Sequence, residues 1–274
     1  MIYVTGSNGQ LGNELRKKLN SKAVFLSRDD LNLANLSQVE SFLNSTKIDL
    51  LINAAAYTQV DKAETEKELS VIINSSAPSL MSRYSKLKGF KLIHFSTDYV
   101  FDGTSNLPYK ESDKTNPVNF YGETKLNGEM GVIAENPSSL VIRTSWVYST
   151  FGKNFIKTIL KFGAERESLN VVYDQIGSLT FAGDLSDIIF KARDLSGIYH
   201  FSNEGVSSWY DVAVELRKQK RFKAAINPIL SHEYPTPAKR PNYSILNKSK
   251  IKNALSIQIP HWTESLSLCL KELS

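Results

Sequence analysis

Tyr121 and Lys125, in the run Tyr121-Gly122-Glu123-Thr124-Lys125, stand four residues apart and so share one face of a helix. An ammonium beside a phenol stabilises the phenolate and lowers the tyrosine pKa toward working pH, which makes such a pair a proton donor. Upstream, the run Ser96-Thr97-Asp98-Tyr99-Val100-Phe101 closes an apolar stretch. The Thr97 hydroxyl there can hydrogen-bond a substrate carbonyl that Tyr121 protonates, while Lys125 holds a nicotinamide ribose. Each residue alone has an ordinary reading, Tyr121 as an amphipathic-helix tyrosine and Thr97 as a strand-end cap. Combined with the glycine turn below, the three predict a hydride-transfer site.

That turn is Thr5-Gly6-Ser7-Asn8-Gly9-Gln10-Leu11-Gly12, placed directly after an apolar strand and opening an amphipathic helix. Gly6 allows the tight turn, Gly9 lets backbone approach a pyrophosphate, and Gly12 allows close helix–strand packing. The amides at the helix start, with Asn8, Gln10 and Leu11 around them, face the phosphates. Near the end of the second strand, Asp29 or Asp30 can accept from a ribose 2′-hydroxyl and favour NAD. Arg28 can instead meet a 2′-phosphate and favour NADP, so the spacing leaves the coenzyme open. After the third strand, Asn53-Ala54-Ala55-Ala56 offers small side chains on which a dinucleotide can lie.

Strands to carry these residues are expected at Ile2–Thr5, Ala23–Leu26, Leu50–Asn53, Lys91–Ser96 and Leu140–Thr144, all short and apolar as in a sheet covered on both faces. Helical patterns fall between them at Leu11–Leu19, Leu36–Leu43 and Glu68–Lys86. The alternation predicts an α/β fold, a Rossmann-like doubly wound parallel sheet with a smaller C-terminal lobe. Further strands are expected at Val171–Tyr173 and Ile198–Phe201, with helices near Asn154–Phe162, Asp184–Arg193 and Trp209–Lys218. The dinucleotide domain is expected over 1–150 plus about 171–203, and the substrate lobe over about 151–170 and 204–274. The proline-bearing stretch Asn227–Asn247 reads as an ordered loop, and a closing helix from Thr263 to Leu273 takes Thr263 as its N-cap.

With 274 residues, 41% of them hydrophobic, the chain can bury a large core. The net charge of +5 suits nucleic acid or, equally, phosphorylated small molecules. Basic residues are dispersed, the densest stretch being Arg217–Lys223, and no nucleic-acid signature accompanies them. A single cysteine, Cys269, excludes a disulfide framework and a Cys-rich metal cluster, and its apolar helical context reads as core packing. No signal-peptide pattern and no membrane-length apolar run stand out, so a cytoplasmic protein is expected, with no membrane and no nucleic-acid partner.

Longer segments carry a resemblance. Gly6–Gly12, Asn53–Glu64 (NAAAYTQVDKAE), Ser96–Gly103 (STDYVFDG), Tyr121–Glu129 (YGETKLNGE), Arg143–Tyr148 (RTSWVY), Asp174–Gly177 (DQIG), Trp209-Tyr210-Asp211 and Thr236–Asn247 (TPAKRPNYSILN) together resemble the extended short-chain dehydrogenase/reductases. Among these, the chain is most similar to the dTDP-4-dehydrorhamnose reductase family, almost end to end. The resemblance implies NAD(P)H-dependent reduction of the C4 ketone of dTDP-4-dehydro-β-L-rhamnose, with NADPH as the coenzyme and NADH as the other choice. It implies Thr97, Tyr121 and Lys125 as the catalytic set, with Arg28, Asn32 and Leu33 around the adenosine. Thr97, Asp98, Tyr99 and Trp146 then contact the sugar, and Arg240 and Asn242 meet its nucleotide-diphosphate end. Asn32 departs from the family's aspartate.

Some members bridge two subunits with magnesium held by three glutamates. Glu14 and Glu272 fall at two of those positions, but Gly183 fills the third, so no integral metal is expected and both carboxylates read as solvated surface. The partner is then a nucleotide sugar, and the protein a monomer or homodimer. Leu179 and Phe181, after Gly177, also depart from the family and leave the sugar open. The alternatives are a 4-ketoreductase for another nucleotide-linked 6-deoxyhexose and a non-catalytic dinucleotide-binding regulatory subunit.

Overall fold

A computed structural model describes residues 1–273. The chain alternates strands and helices from its start: β1 Ile2–Thr5, α1 Gln10–Leu19, β2 Ala23–Leu26, α2 Leu36–Ser45, β3 Leu50–Asn53, α3 Val60–Ala63, α4 Lys67–Val71, α5 Ala77–Lys88, β4 Lys91–Thr97, α6 Phe120–Glu135 and β5 Leu140–Thr144. There follow β6 Val147–Tyr148, α7 Phe155–Glu165, β7 Ser168–Val172, β8 Ile176–Gly177, β9 Thr180–Phe181, α8 Ala182–Lys191 and β10 Gly197–His200. The C-terminal part runs β11 Ser207–Ser208, α9 Trp209–Lys220, β12 Ala225–Ile229, α10 Ser249–Leu255 and α11 Trp262–Glu272.

Six strands form one parallel sheet in the order β2-β1-β3-β4-β5-β10, as the alternation predicts. The direction of winding reverses between β1 and β3, and the crevice outside the carboxyl ends of those strands is where a doubly wound sheet binds ligands. Burial explains the apolar strands. One face is covered by α1, α8 and α10 through Leu15, Ile189 and Ile251, and the other by α2, α5 and α6 through Leu43, Met81 and Val132.

Four expectations about elements shift. The strand near Val171 spans Ser168–Val172 and pairs in parallel with β12 outside the six-stranded sheet, so it belongs to the lobe and the chain rejoins the large domain later than 171. There Leu169, Val171 and Ile226 pack with Ile156, Val212, Leu216 and Leu266, and Cys269 is buried with them. The loop expected from Asn227 thus begins inside a strand. The stretch Glu68–Lys86 is not one regular helix, because a π-helical turn over Ile72–Ser76 interrupts it. Inside that turn Asn74 is fully buried, with Nδ2 donating to the Tyr57 carbonyl and the Thr124 hydroxyl while Oδ1 accepts from Tyr57 N–H. Finally, α11 is capped by His261 rather than Thr263: the imidazole accepts from Thr263 N–H and the Glu264 carboxylate reaches back to His261 N–H.

Candidate active site

The glycine turn folds tightly onto the segment after β3. Gly6 has φ +69°, and a Cβ there would stand 2.6 Å from the Ala55 nitrogen. A Cβ on Gly12 would stand 2.3 Å from the Gly6 carbonyl oxygen. Both glycines are therefore required by close backbone approach. Gly9 precedes α1 without any side-chain cap, so the helix presents its first amides unblocked by protein, a cradle suited to phosphate. Ala54 and Ala55 lie against this turn at the β1/β3 crevice, which fits a dinucleotide laid across the strand ends.

At the end of β2, Arg28, Asp29 and Asp30 are exposed. The Asp30 carboxylate accepts from the amide and hydroxyl of Ser27, which holds it below the usual carboxylate range and closes the turn. Asn32 spends Oδ1 on the Ala34 amide, and Leu33 is buried in the core. Asp29 engages the turn only through its amide, which donates to the Ser27 hydroxyl, so the Arg28 and Asp29 side chains both face outward here. Gln10 joins the glycine turn to the lobe, donating to the Val147 carbonyl and accepting from Asn154.

Thr97 is the last residue of β4, and Tyr121 and Lys125 lie on the first turns of α6. Helix α6 is started by Asn119, whose Oδ1 accepts from Gly122 N–H and whose Nδ2 donates to the Lys239 carbonyl. Gly122 has no Cβ because one would meet the Tyr99 carbonyl oxygen at 2.3 Å. That close approach sets the Tyr121 and Tyr99 rings edge to face, centroids 5.9 Å apart. The Thr97 side chain faces the Tyr121 phenol and acts to lower its pKa. Structure thus brings Thr97, Asp98, Tyr99, Tyr121 and Lys125 together at the carboxyl end of β4.

The electrostatics correct the sequence reading in one respect. Lys125 is not what governs the phenol. Burial pushes the Tyr121 pKa up, with the neighbouring Asp98 charge acting the same way, so the phenol keeps its proton at neutral pH. The ammonium instead donates to the Phe95 carbonyl at 2.6 Å and is buried, which lowers its pKa to about 8 against the opposing charge of Glu129. Asp98 is buried too. Its Oδ1 accepts from the Thr97 hydroxyl at 3.0 Å, Oδ2 has no well-formed hydrogen bond, and burial raises the carboxyl to about 7.

Beneath this site lies a polar chain that was not singled out from the sequence. Thr5 Oγ1 donates to Asn53 Oδ1 at 2.7 Å, and Asn53 Nδ2 lies 3.1 Å from His94 Nδ1. His94 is fully buried, and Nε2 is left without a partner. Burial, then the Lys125 charge, depresses its pKa, so the ring is neutral. The available signal was a histidine inside the otherwise apolar run of β4. A second support is the buried pair of Arg143 on β5 with Glu129 on α6, at 2.5 and 3.0 Å, which pins α6 to the sheet.

Trp146 leaves β5 with a strained φ of +45° and stacks face to face on Trp209 at 3.6 Å between centroids. Gly177 is needed beneath it, since a Cβ there would meet the Trp146 ring at 2.5 Å. Trp146, Gln10, Thr58, Lys153, Leu179 and Trp209 line a cleft of about 230 Å³ between the glycine turn and the lobe.

Arg240 and Asn242 have other work than the one expected. The Arg240 guanidinium forms a two-pronged pair with Asp61 at 3.0 and 2.8 Å and also donates to the Thr236 hydroxyl and the Ala238 carbonyl, tying its loop to α3. Asn242 donates to the Asp174 carbonyl. Glu14 is buried rather than solvated. Lys17 sits between it and Glu272, at 3.3 and 2.6 Å. Among the described residues, no helix is long and apolar enough to cross a membrane.

Comparison with known proteins bears on the family and the fold. The family described as the RmlD substrate binding domain matches residues 1–274. A dTDP-4-dehydrorhamnose reductase of Burkholderia thailandensis is 36% identical over 99% of this chain and 98% of its own. The crystal structure of a dTDP-4-dehydrorhamnose reductase from Clostridium acetobutylicum superposes with a TM-score of 0.95 at 37% identity, covering 99% of each chain. That of the Bacillus anthracis dTDP-4-dehydrorhamnose reductase in complex with NADP gives 0.95 at 36% identity, over 99% of this chain and 98% of the other.

Proposed function

The chain belongs to the RmlD family, whose similar members include dTDP-4-dehydrorhamnose reductases, and on that premise we propose that it reduces the C4 ketone of dTDP-4-dehydro-β-L-rhamnose to dTDP-L-rhamnose with a nicotinamide coenzyme. The observation that carries this reading is the meeting of Thr97, Tyr121 and Lys125 at the end of β4, beside the crevice where the glycine turn folds onto Ala54–Ala55.

The coenzyme, when bound, supplies a hydride from its nicotinamide ring. Gly6, Asn8, Gly9, Gln10, Leu11 and Gly12 would hold its pyrophosphate, Ala54–Ala56 its underside, and Lys125 its nicotinamide ribose. NADPH is the proposed coenzyme, because exposed Arg28 at the end of β2 suits a 2′-phosphate, with Asn32 and Leu33 flanking the adenosine; NADH is the alternative.

Tyr121 transfers its hydroxyl proton to the C4 oxygen as the hydride arrives at C4. A reductase needs that phenol protonated before turnover, and its raised pKa provides this. Thr97 and Tyr99 border the carbonyl end of the sugar with the buried Asp98 behind Thr97, and Trp146 stacked on Trp209 offers an apolar face for its 6-methyl side. Asn242 and Arg240 border the site through their loop, with Arg240 acting as its clamp rather than as a free phosphate ligand. The proposed setting is the cytoplasm, as monomer or homodimer.

A second reading keeps the chemistry and changes the 6-deoxyhexose. Its support is Leu179, which lines the cleft beside Trp146. A regulatory subunit without catalysis has no need of Thr97, Tyr121 and Lys125 gathered at one strand end.

The test is anaerobic incubation with dTDP-4-dehydrorhamnose and either reduced coenzyme. Loss of nicotinamide absorbance with dTDP-L-rhamnose formed is the expected result. No oxidation of either coenzyme overturns the reading, and faster turnover of a different nucleotide 4-keto sugar favours the second one.

A further inference from the structure

Thr97 stands at a junction with more neighbours than protons. A threonine hydroxyl has one hydrogen to donate and two lone pairs to accept with. Thr97 Oγ1 lies 3.0 Å from Asp98 Oδ1, accepts from Tyr99 N–H at 3.2 Å, and meets the Tyr121 phenol. One lone pair is therefore always taken by Tyr99. The single proton and the other lone pair must be divided between Asp98 and Tyr121.

Two arrangements satisfy that count. When Asp98 is a carboxylate it can only accept, so Thr97 donates to it, and the phenol proton of Tyr121 turns inward to Thr97. When Asp98 carries a proton it donates to Thr97, Thr97 donates to the phenol oxygen, and the Tyr121 proton points away from Thr97. Only the second arrangement leaves that proton free for a substrate carbonyl.

We propose that Asp98 sets the direction of the hydrogen-bond chain Asp98–Thr97–Tyr121 and is a positioning residue for the proton that Tyr121 delivers. The inference rests on the reductase reading and adds to it a residue that acts through two others. The same chain allows the phenolate left after turnover to regain its proton: Thr97 gives its hydrogen to the Tyr121 oxygen and takes one from Asp98. Asp98 takes its replacement proton from water after product has left.

The surroundings of Asp98 suit a carboxyl that changes charge. It is 2% exposed, and its Oδ2 atom is left without a well-formed hydrogen bond, an arrangement costly for an anion. From its own turn it faces Thr97, Tyr99 and the amides of Asp98 and Tyr99; from α6 it faces Tyr121, and from the loop before α10 the Ser244 hydroxyl. The guanidinium of Arg240 faces Tyr99 and is bound to Asp61. Burial outweighs these hydroxyls and amides, and the carboxyl titrates near neutrality, at about 7.

The sign follows. Asp98 is protonated below its pKa and ionised above it, so reduction is favoured on the acid side and declines as pH rises through neutrality. The experiment measures kcat against pH for the wild-type protein, Asp98→Asn and Thr97→Val, with dTDP-4-dehydrorhamnose and saturating NADPH. Wild-type kcat should fall about tenfold per pH unit above the Asp98 pKa. Both variants should be slower, with profiles flat to within about twofold below the pKa of about 8 at which Lys125 loses its own charge, the range in which the outcomes are read. A decline that persists in Asp98→Asn overturns the proposal. A decline that persists in Thr97→Val alone also overturns it, because Asp98 would then be acting on the sugar directly. If wild type turns over no sugar, the reductase reading fails by itself. The chain is then read without substrate from the infrared carbonyl stretch of protonated Asp98, which should shift in Thr97→Val; an unshifted band overturns it.

Discussion

Lys125 Nζ donates to the carbonyl oxygen of Phe95 at 2.6 Å, so a helix residue of the candidate site is tied to the backbone of the strand that ends in Thr97. This bond holds the ammonium in place at the cost of burying it. Replacing Lys125 with Met removes a buried charge whose desolvation is only partly offset by Glu129. The folded pKa of about 8 lies below the ordinary lysine value of 10.5, so below about pH 8 folding works against that charge, and stability rises between the two values as the folded state sheds its proton first. Lys125→Met is therefore expected to unfold at a temperature no lower than wild type at neutral pH, while its turnover falls at least about a hundredfold. A calorimetric melt beside a rate measurement checks both. A fall in Tm of several degrees would show that the Phe95 hydrogen bond outweighs the buried charge.

Tyr121→Phe removes the proton donor and leaves the ring that packs edge to face on Tyr99. The expected loss in kcat is about 10²- to 10⁴-fold, with the coenzyme dissociation constant within about threefold of wild type. Turnover at the wild-type rate would remove Tyr121 from the mechanism.

Gly12→Ala places a Cβ 2.3 Å from the Gly6 carbonyl oxygen and 2.7 Å from Ser7 Cα, both backbone, so the first turn of α1 must move. Overpacking of this kind costs about 1–3 kcal/mol, and the amides that would hold the pyrophosphate shift with the turn. Titration of the coenzyme should show weakening of at least about tenfold, with kcat at saturation less affected. Unchanged affinity would place the pyrophosphate elsewhere.

These outcomes bear on what was legible in the residues. The sheet could be read because strands buried on both faces are written as short apolar runs, and β1, β2, β3 and β5 keep their expected limits. Local spacing also announced the glycine turn and the Tyr121–Lys125 face. What escaped depends on partners distant in sequence. Arg240 reads as a free guanidinium until Asp61 is seen beside it, and β7 reads as a sheet strand until β12 is found as its neighbour. The Lys125 effect on Tyr121 failed for the same reason, since spacing gives a shared helix face but not the Phe95 carbonyl that takes the ammonium.

Gly183 and Phe181 look like two separate departures in the sequence and are one in space. A Cβ on Gly183 would stand 2.4 Å from the edge of the Phe181 ring, which is buried against Tyr148 with centroids 5.5 Å apart. The absence of a side chain at 183 is thus what lets the phenylalanine occupy the start of α8. Gly183→Ala alone should destabilise the protein by about 1–3 kcal/mol through that overlap, despite the better helix propensity of alanine. Phe181→Ala alone should cost about 3–5 kcal/mol through the cavity it leaves. In the double variant the clash is gone and the alanine propensity remains, so the combined cost should fall short of the sum by at least about 1 kcal/mol in a double-mutant cycle of denaturant melts. Additive costs would mean that α8 tilts to admit the Cβ without touching Phe181, and the two positions would then be independent.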